Sequence, residues 1–190
     1  MLTPNKGTQD LVNFSRTGTI LLALGGNVAG HWGSPRASLE RALSELQRAG
    51  ITIICTSHFY KTAPVGSGRQ PRYLNAVIVA KGSIGPACLL RLLKRLEQGA
   101  GRHSTPPLQP RPLDLDILDF GGRRLRWPGA AGRRQRGRLI LPHPLLHRRA
   151  FVLVPLLEVA PGWSHPVLGR RARALLARLG PAGRRGVDKI

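Results

Sequence analysis

The chain has 190 residues, of which 42% are apolar, so it suits a single domain with a substantial core. It carries 30 Lys and Arg against 9 Asp and Glu, a formal charge of +21. This excess attracts anions such as nucleic acids, nucleotides, phosphates and acidic lipids, without selecting among them. No apolar run reaches 18 residues, so no transmembrane helix is indicated and we expect no membrane partner.

The apolar pattern predicts alternating strands and helices. A Ser-Pro start and a following Gly delimit the first helix, and the strands are rich in β-branched residues. The predicted elements, in chain order, are a strand at 19–27, a helix at 34–50, strands at 51–62 and 73–82, a helix at 85–101 and a strand at 112–120. The order β-α-β-β-α-β predicts an α+β fold with a ferredoxin-like core, an antiparallel sheet packed by helices. We expect its fourth strand to lie inside the sheet.

The remaining segments divide the chain into three parts. Residues 1–18 lack the apolar core of a secretory signal, and we expect a disordered leader there. Residues 19–163 form the predicted domain. They include an exposed, mobile insertion at 123–138, which carries seven Arg and no acid. Residues 164–190 form a basic C-terminal segment.

The two cysteines show no metal-binding or redox spacing. Cys55 and Cys88 lie in apolar surroundings on different predicted elements, and neither belongs to a CxxC or Cys/His motif. We interpret them as buried free thiols of a protein in a reducing cytosol, and therefore predict a cytoplasmic location.

Two acids interrupt this basic sequence in "RPLDLDIL". On a strand, Asp114 and Asp116 lie on the same face, about 6.5–7 Å apart along the chain. Hard oxygen ligands without Cys or His partners favour magnesium, which keeps waters and binds substrate phosphates. The spacing alone favours the alternative of two solvated acids on a half-exposed strand.

Cations flank this acid pair in three loops. They are Arg102, Arg111, His143, Arg148 and Arg149. Carboxylates surrounded by cations favour a nucleoside triphosphate site, because metals bridge phosphates and cations stabilise developing charge. The sequence has no P-loop, no G-x-G-x-x-G and no kinase signature set, so such a site must be of another kind.

A second constellation combines an amide with aromatic rings. Tyr73 and Asn75 alternate with Leu74 on a predicted strand, and Phe151 comes from a distant segment. An Asn amide suits the edge of a flat heterocycle, and an aromatic ring suits stacking on its plane. A role in the core is the alternative for the rings.

Five ordered segments between residues 19 and 163 resemble the 6-hydroxymethyl-7,8-dihydropterin pyrophosphokinases. They read "LALGGN", "SHFYKTAPVGSGRQPRYLNAVI", "LLRLLKRLEQGAGR", "PRPLDLDIL" and "LPHPLLHRRAFVLVPLLEVAP". The resemblance implies an ATP-dependent diphosphokinase of folate biosynthesis. This enzyme transfers the pyrophosphoryl group of ATP to the hydroxymethyl oxygen of the pterin and releases AMP. It also implies two magnesium ions, and we expect a monomer.

The same resemblance implies a role for individual residues. Those implied to bind metal are Asp114 and Asp116, and those implied in catalysis are Arg102 and Arg111. The positions implied to contact ATP are Glu97, Arg102, Arg111, Arg138, His143 and Arg149. The positions implied to contact the pterin are Thr62, Val65, Tyr73, Asn75 and Phe151.

The sequence also departs from the family pattern. Gly26 replaces the usual Ser of an "LGSN" turn, and the loop "HSTPPLQP" at 103–110 lacks the family's basic residues and aromatic. This loop motivates one alternative, a degenerate and weakly active relative. The charge motivates another, a nucleic-acid-binding protein, although no nucleic-acid-binding signature accompanies it and we expect only incidental polyanion binding.

Overall fold

The computed structural model describes residues 18–64, 70–102, 109–127 and 139–190. This part of the chain forms one sheet with helices on both faces. Its strands are β1 (Thr19–Gly26), β2 (Thr52–Thr56), β3 (Tyr60–Thr62), β4 (Tyr73–Lys81), β5 (Asp114–Phe120) and β6 (Val187–Lys189). Its helices are α1 (Pro35–Arg48), α2 (Pro86–Gly99), α3 (Ala150–Val159), α4 (Ala172–Ala177) and α5 (Gly180–Arg184).

The strand order confirms the expected α+β fold. The sheet runs β5-β1-β4-β3-β6, β2 also pairs with β4, and every pairing is antiparallel. The expectation that the fourth predicted strand lies inside the sheet is wrong, because β5 forms an edge beside β1. Each β-α-β crossover leaves one strand position free between its two strands. A strand of the other crossover fills that position, so the last strand of the core lies at the edge of the sheet.

The single strand predicted at 51–62 is two strands on the same edge of β4. The ladder shifts register between Ile53 and Cys55 and is interrupted at Ser57. There the Ser57 hydroxyl accepts a hydrogen bond from the Val77 N–H at 3.0 Å, and the Ser57 N–H donates to the Val77 carbonyl at 2.9 Å. A side chain thus replaces a backbone acceptor, which ends β2 and lets the chain re-enter the sheet as β3.

Two apolar layers cover the sheet. Helices α1 and α2 pack on one face, with Leu113, Leu115 and Ile117 of the β5 segment among the buried residues there. Helices α3 and α4 pack on the other face around the buried Trp163. The alternation predicted for "PLDLDIL" is therefore confirmed, and it turns the acids of β5 toward the α3 face.

The first helix begins and ends as its sequence predicts. The Ser34 hydroxyl accepts a hydrogen bond from the Ala37 N–H at 3.3 Å, and Pro35 occupies the first turn. Gly50 follows the helix with φ of +81°, a conformation that favours glycine.

The expected division of the chain into 1–18, 19–163 and 164–190 stays a prediction. Residues 1–17 and most of the Arg-rich insertion, 128–138, lie outside the described residues. Within the described part, α4 contributes Ala172 and Leu175 to the same core as α3. Among these residues no helix is both long enough and apolar enough to span a bilayer.

The prediction of two buried cysteines is wrong for Cys88. Cys55 is half-buried, but Cys88 is exposed in the first turn of α2. The buried face of α2 carries Leu89, Leu92 and Leu93, so the neighbouring position at 88 faces outward. The cytoplasmic location inferred from these thiols stays a prediction.

Candidate active site

A cleft of about 630 Å³ lies on the α3 face of the sheet, where β1 ends and β4 and β5 begin. The start of α3 forms the opposite wall. The cleft brings together nine of the residues singled out in the sequence: Thr62, Tyr73, Asn75, Arg111, Asp114, Asp116, Arg148, Arg149 and Phe151. Val65 and Arg138 lie outside the described residues, as do residues 103–108 of the altered loop, so their expected contributions stay predictions.

Asp114 is held by two guanidinium groups. Its Oδ1 lies 2.5 Å from Arg102 Nη1 and 3.1 Å from Arg111 Nη1. Burial alone would raise the pKa of the Asp114 carboxyl, but Arg111 and Arg102 hold it below its ordinary value. Asp114 is thus an anion throughout the neutral range, and its side chain is still 27% exposed toward the cleft.

Asp116 has looser partners. Its Oδ2 lies 3.7 Å from His143 Nε2 and 3.7 Å from Arg149 Nη1, beyond hydrogen-bonding distance in both cases. The side chain is 32% exposed, so this carboxylate can accept an incoming ligand without breaking a close ion pair. Arg149, just before α3, lines the cleft and places positive charge there, whereas His143 lies near Asp116 without lining the cleft.

Glu97 supports the acid pair from behind the sheet. Its carboxylate is 2% exposed and accepts hydrogen bonds from Lys94 Nζ at 2.7 Å and from the Leu115 N–H at 2.8 Å. Burial raises the pKa of Glu97, against the attraction of Lys94 and Arg102. Arg102 Nη1 lies 2.6 Å from Glu97 Oε1, so Glu97 fixes the guanidinium that reaches Asp114. Glu97 does not line the cleft, and its expected contact with ATP stays a prediction.

The other end of the cleft is built around an amide. The Asn75 Nδ2 donates to the Thr62 hydroxyl at 2.7 Å in a buried contact. Tyr73 shares the same face of β4, as its spacing predicts, and its hydroxyl donates to the Gln109 carbonyl at 3.3 Å. Phe151 lies across the cleft with the Arg149 guanidinium 5.5 Å from its ring centre. Ring and amide together suit a flat, polar-edged ligand.

Two residues of the "LGGN" turn position the site, and sequence reasoning assigned neither a role. Asn27 is 3% exposed, and its Oδ1 accepts from the Arg111 N–H at 2.8 Å. Its Nδ2 donates to the Pro71 carbonyl at 3.2 Å, so one side chain joins the loops before β4 and β5. Gly25 lies between Asn75 and Asp114 in the sheet register and lines the cleft floor.

If Asn75 reads a ligand, as the sequence predicts, replacing Gly25 with Ala should weaken binding of that ligand by roughly tenfold to a hundredfold, because the amide would be displaced. A Cβ at this position would lie 2.7 Å from Asn75 Oδ1. Calorimetric titration of the pterin that the sequence resemblance implies checks this. Gly85→Ala is the matched control, since a Cβ there meets nothing within 4 Å. Unchanged affinity in Gly25→Ala would show that Asn75 does not read the ligand.

The C-terminal segment also reaches the cleft, which no sequence signal indicated. Gly183, Arg185, Gly186 and Val187 line it beside Thr62. The sequence "GRRGVDKI" is too short and too polar to predict a strand, and its partner β3 is equally short.

Comparison with known proteins identifies relatives of the whole domain. The family model described as 7,8-dihydro-6-hydroxymethylpterin-pyrophosphokinase (HPPK) matches residues 21–161. The chain is 35% identical over 160 residues to a 2-amino-4-hydroxy-6-hydroxymethyldihydropteridine pyrophosphokinase of Synechocystis, covering 84% of this chain and 75% of that protein. The enzyme of the same name from Haemophilus influenzae is 37% identical over 143 residues, covering 75% and 81%.

Larger relatives contain this domain as one part. The mitochondrial folate synthesis bifunctional protein of Arabidopsis thaliana is 38% identical over 140 residues, and the chain spans only 23% of its length. A crystal structure of Plasmodium falciparum HPPK-DHPS has the same fold with a TM-score of 0.69 at 16% identity. That match covers 90% of this chain and 48% of the other.

Proposed function

Because this chain belongs to the 7,8-dihydro-6-hydroxymethylpterin-pyrophosphokinase (HPPK) family and is an ATP-using pyrophosphokinase of folate biosynthesis, we propose which of its residues carry out the transfer. The hydroxymethyl oxygen of the pterin attacks the β-phosphorus of ATP. The bond from that phosphorus to the oxygen shared with the α-phosphorus breaks, AMP leaves, and the hydroxyl proton is released. The products are AMP and the pterin diphosphate.

The observation that carries this assignment is the placement of the amide and the acid pair in one cleft. Asp114 pairs with Gly25, and Gly25 pairs with Asn75, so two strand spacings, roughly 10 Å, separate the acid from the amide. A two-ring heterocycle held at Asn75 can direct a one-carbon arm across this distance toward the acids. We therefore assign Asn75, Thr62, Tyr73 and Phe151 to the pterin.

Asp114 and Asp116 are the residues that would hold magnesium. They supply hard oxygen donors, and both side chains remain partly exposed to the cleft. Among the described residues no cluster of three or more His, Cys, Asp or Glu forms a complete cage. This fits magnesium, which fills its remaining positions with water and substrate phosphate oxygens. Two magnesium ions, when bound, would neutralise phosphate charge and lower the pKa of the attacking hydroxyl.

The cations around the acids are assigned to ATP. Arg102 and Arg111 already lie against Asp114, and Arg149 and His143 lie near Asp116. Preorganised cations of this kind stabilise the charge that develops on the phosphate oxygens and on departing AMP. Most of the rate enhancement should therefore come from positioning and electrostatics, as in other phosphoryl transfers.

We also propose that the chain acts as a monomer. Nucleic-acid binding, if the net charge of +21 produces any, is incidental to this reaction. The alternative of a weakly active relative depends on the loop at 103–110, of which residues 103–108 lie outside the described part.

Isothermal titration with the pterin and a non-hydrolysable ATP analogue tests the assignment of the two ends of the cleft. We expect the analogue to bind only weakly without magnesium and the pterin to bind more tightly once the analogue is present. The Asp116→Asn variant should lose the magnesium-dependent part of analogue binding. Equal analogue affinity with and without magnesium would contradict the metal assignment.

A further inference from the structure

The C-terminal segment forms one wall of the cleft, although it lies beyond the part of the chain that the family model matches. That match ends at residue 161, whereas Gly183, Arg185, Gly186 and Val187 line the cleft. The wall is thus built by residues beyond the range that the family model matches, and its contacts show what it can do.

Several contacts fix the segment against the edge of the sheet. Strand β6 pairs with β3, the Gly186 carbonyl accepts from the Ala63 N–H at 3.3 Å, and the Ile190 N–H donates to the Phe59 carbonyl at 3.0 Å. Arg72 adds an ion pair to Asp188 and a hydrogen bond to the Lys61 carbonyl at 3.0 Å. The segment is therefore part of the fold at this edge and covers the outer side of β3.

The sheet register shows which end of the cleft the segment faces. Asp114, Gly25, Asn75, Tyr60 and Lys189 lie in one row across the strands. Strand β6 is four strand spacings, roughly 19 Å, from the acid of β5 but only two, roughly 10 Å, from Asn75. The segment is thus placed beside the pterin end and far from the acid pair.

Two side chains of the segment point to a recognition role. Val187 pairs directly with Thr62, so the two share one face of the sheet beside the Asn75 amide. Arg185 is exposed at the cleft, and among the described residues it forms none of the ion pairs that occupy other arginines such as Arg102 and Arg111. A guanidinium offers several planar donors, which suit the acceptor-rich edge of a heterocycle.

We infer that residues 183–187 recognise the pterin, with Val187 bounding its pocket and Arg185 donating hydrogen bonds to the ring edge. The inference rests on the proposed assignment of Asn75 and Thr62 to the pterin. It adds to the pterin site a residue that lies beyond the range matched by the family model.

Arg185→Ala tests the inference. We expect the dissociation constant of the pterin, measured by calorimetry with the ATP analogue and magnesium present, to rise about tenfold. The KM for the pterin should rise in parallel, with the KM for ATP and the thermal midpoint unchanged. Arg185→Lys, which keeps the charge but loses the planar fork, should recover part of the affinity. Arg173→Ala is the matched control, because Arg173 is exposed on α4 and does not line the cleft.

The possible outcomes separate this inference from the proposed function. If Arg185→Ala binds the pterin as tightly as the unmodified chain, the segment does not recognise the ring, and the inference is wrong even if turnover is normal. An equal loss of ATP-analogue affinity would also overturn it, since the register places Arg185 away from the acids. If the unmodified chain forms no AMP, the proposed function fails, while the calorimetric comparison still decides the role of Arg185.

Discussion

Replacing Asp114 or Asp116 with Asn should lower kcat at least about a hundredfold, because each change would remove a charged group that we propose as a magnesium ligand while keeping the side chain's shape. The two variants should differ in stability. Asp114→Asn removes the close ion pairs to Arg102 and Arg111, at 2.5 and 3.1 Å, and should lower the thermal midpoint. Asp116→Asn removes only 3.7 Å contacts and should leave it nearly unchanged. Steady-state AMP formation and thermal unfolding measure both effects.

Glu40→Gln is the control for these acids. Its side chain is 55% exposed on α1 and forms only a surface ion pair with Arg36. This variant should match the unmodified chain in both rate and stability, because exposed pairs contribute little. If both Asp variants turn over like Glu40→Gln, the acids of β5 do not hold the metal.

Replacing Arg102 with Ala should reduce kcat/KM by about a hundredfold, because it would remove a preorganised cation that we propose to contact the phosphates. It should also destabilise the chain by about 1–3 kcal/mol, since the buried carboxylate of Glu97 loses one of its ion-pair partners. Turnover assays and denaturant unfolding check the two effects. Arg95→Ala, an exposed change on the same helix as Glu97, should produce neither.

A double-mutant cycle with Glu97→Gln separates positioning from direct contact with ATP. If Glu97 acts by holding Arg102, its replacement should cost much less activity once Arg102 is already Ala, so the two effects should not add. Additive losses in activity would mean that Glu97 contributes to the reaction independently of Arg102. That result would contradict the positioning role, because Glu97 is buried and does not line the cleft.

Local periodicity is the reason that the acid pair and the amide could be predicted. Asp114 and Asp116, and likewise Tyr73 and Asn75, sit two residues apart on strands, so each pair shares a face whatever the partner strands are. The same rule placed Leu115 and Ile117 in the core. The family resemblance supplied the ligand for each end, which spacing alone did not.

Features that depend on a distant partner could not be predicted. The interruption of the strand at Ser57 requires the backbone of Val77. The position of Glu97 requires a hydrogen bond from the Leu115 N–H, which is available to a side chain because β5 is an edge strand. Asn27 joins two loops that lie 43 to 84 residues away from it in sequence. Strand β6 forms because β3 offers an unpaired edge, and nothing in its own sequence indicates that edge.

The measurement that tests the central claim most directly is the fate of labelled phosphate. The unmodified chain is incubated with ATP labelled at the β-phosphorus, the hydroxymethyl pterin and magnesium, and the products are separated. We expect unlabelled AMP and a labelled pterin diphosphate in equal amounts, and no product when either the pterin or magnesium is omitted. Formation of labelled ADP with a pterin monophosphate, or no conversion with all components present, would contradict it.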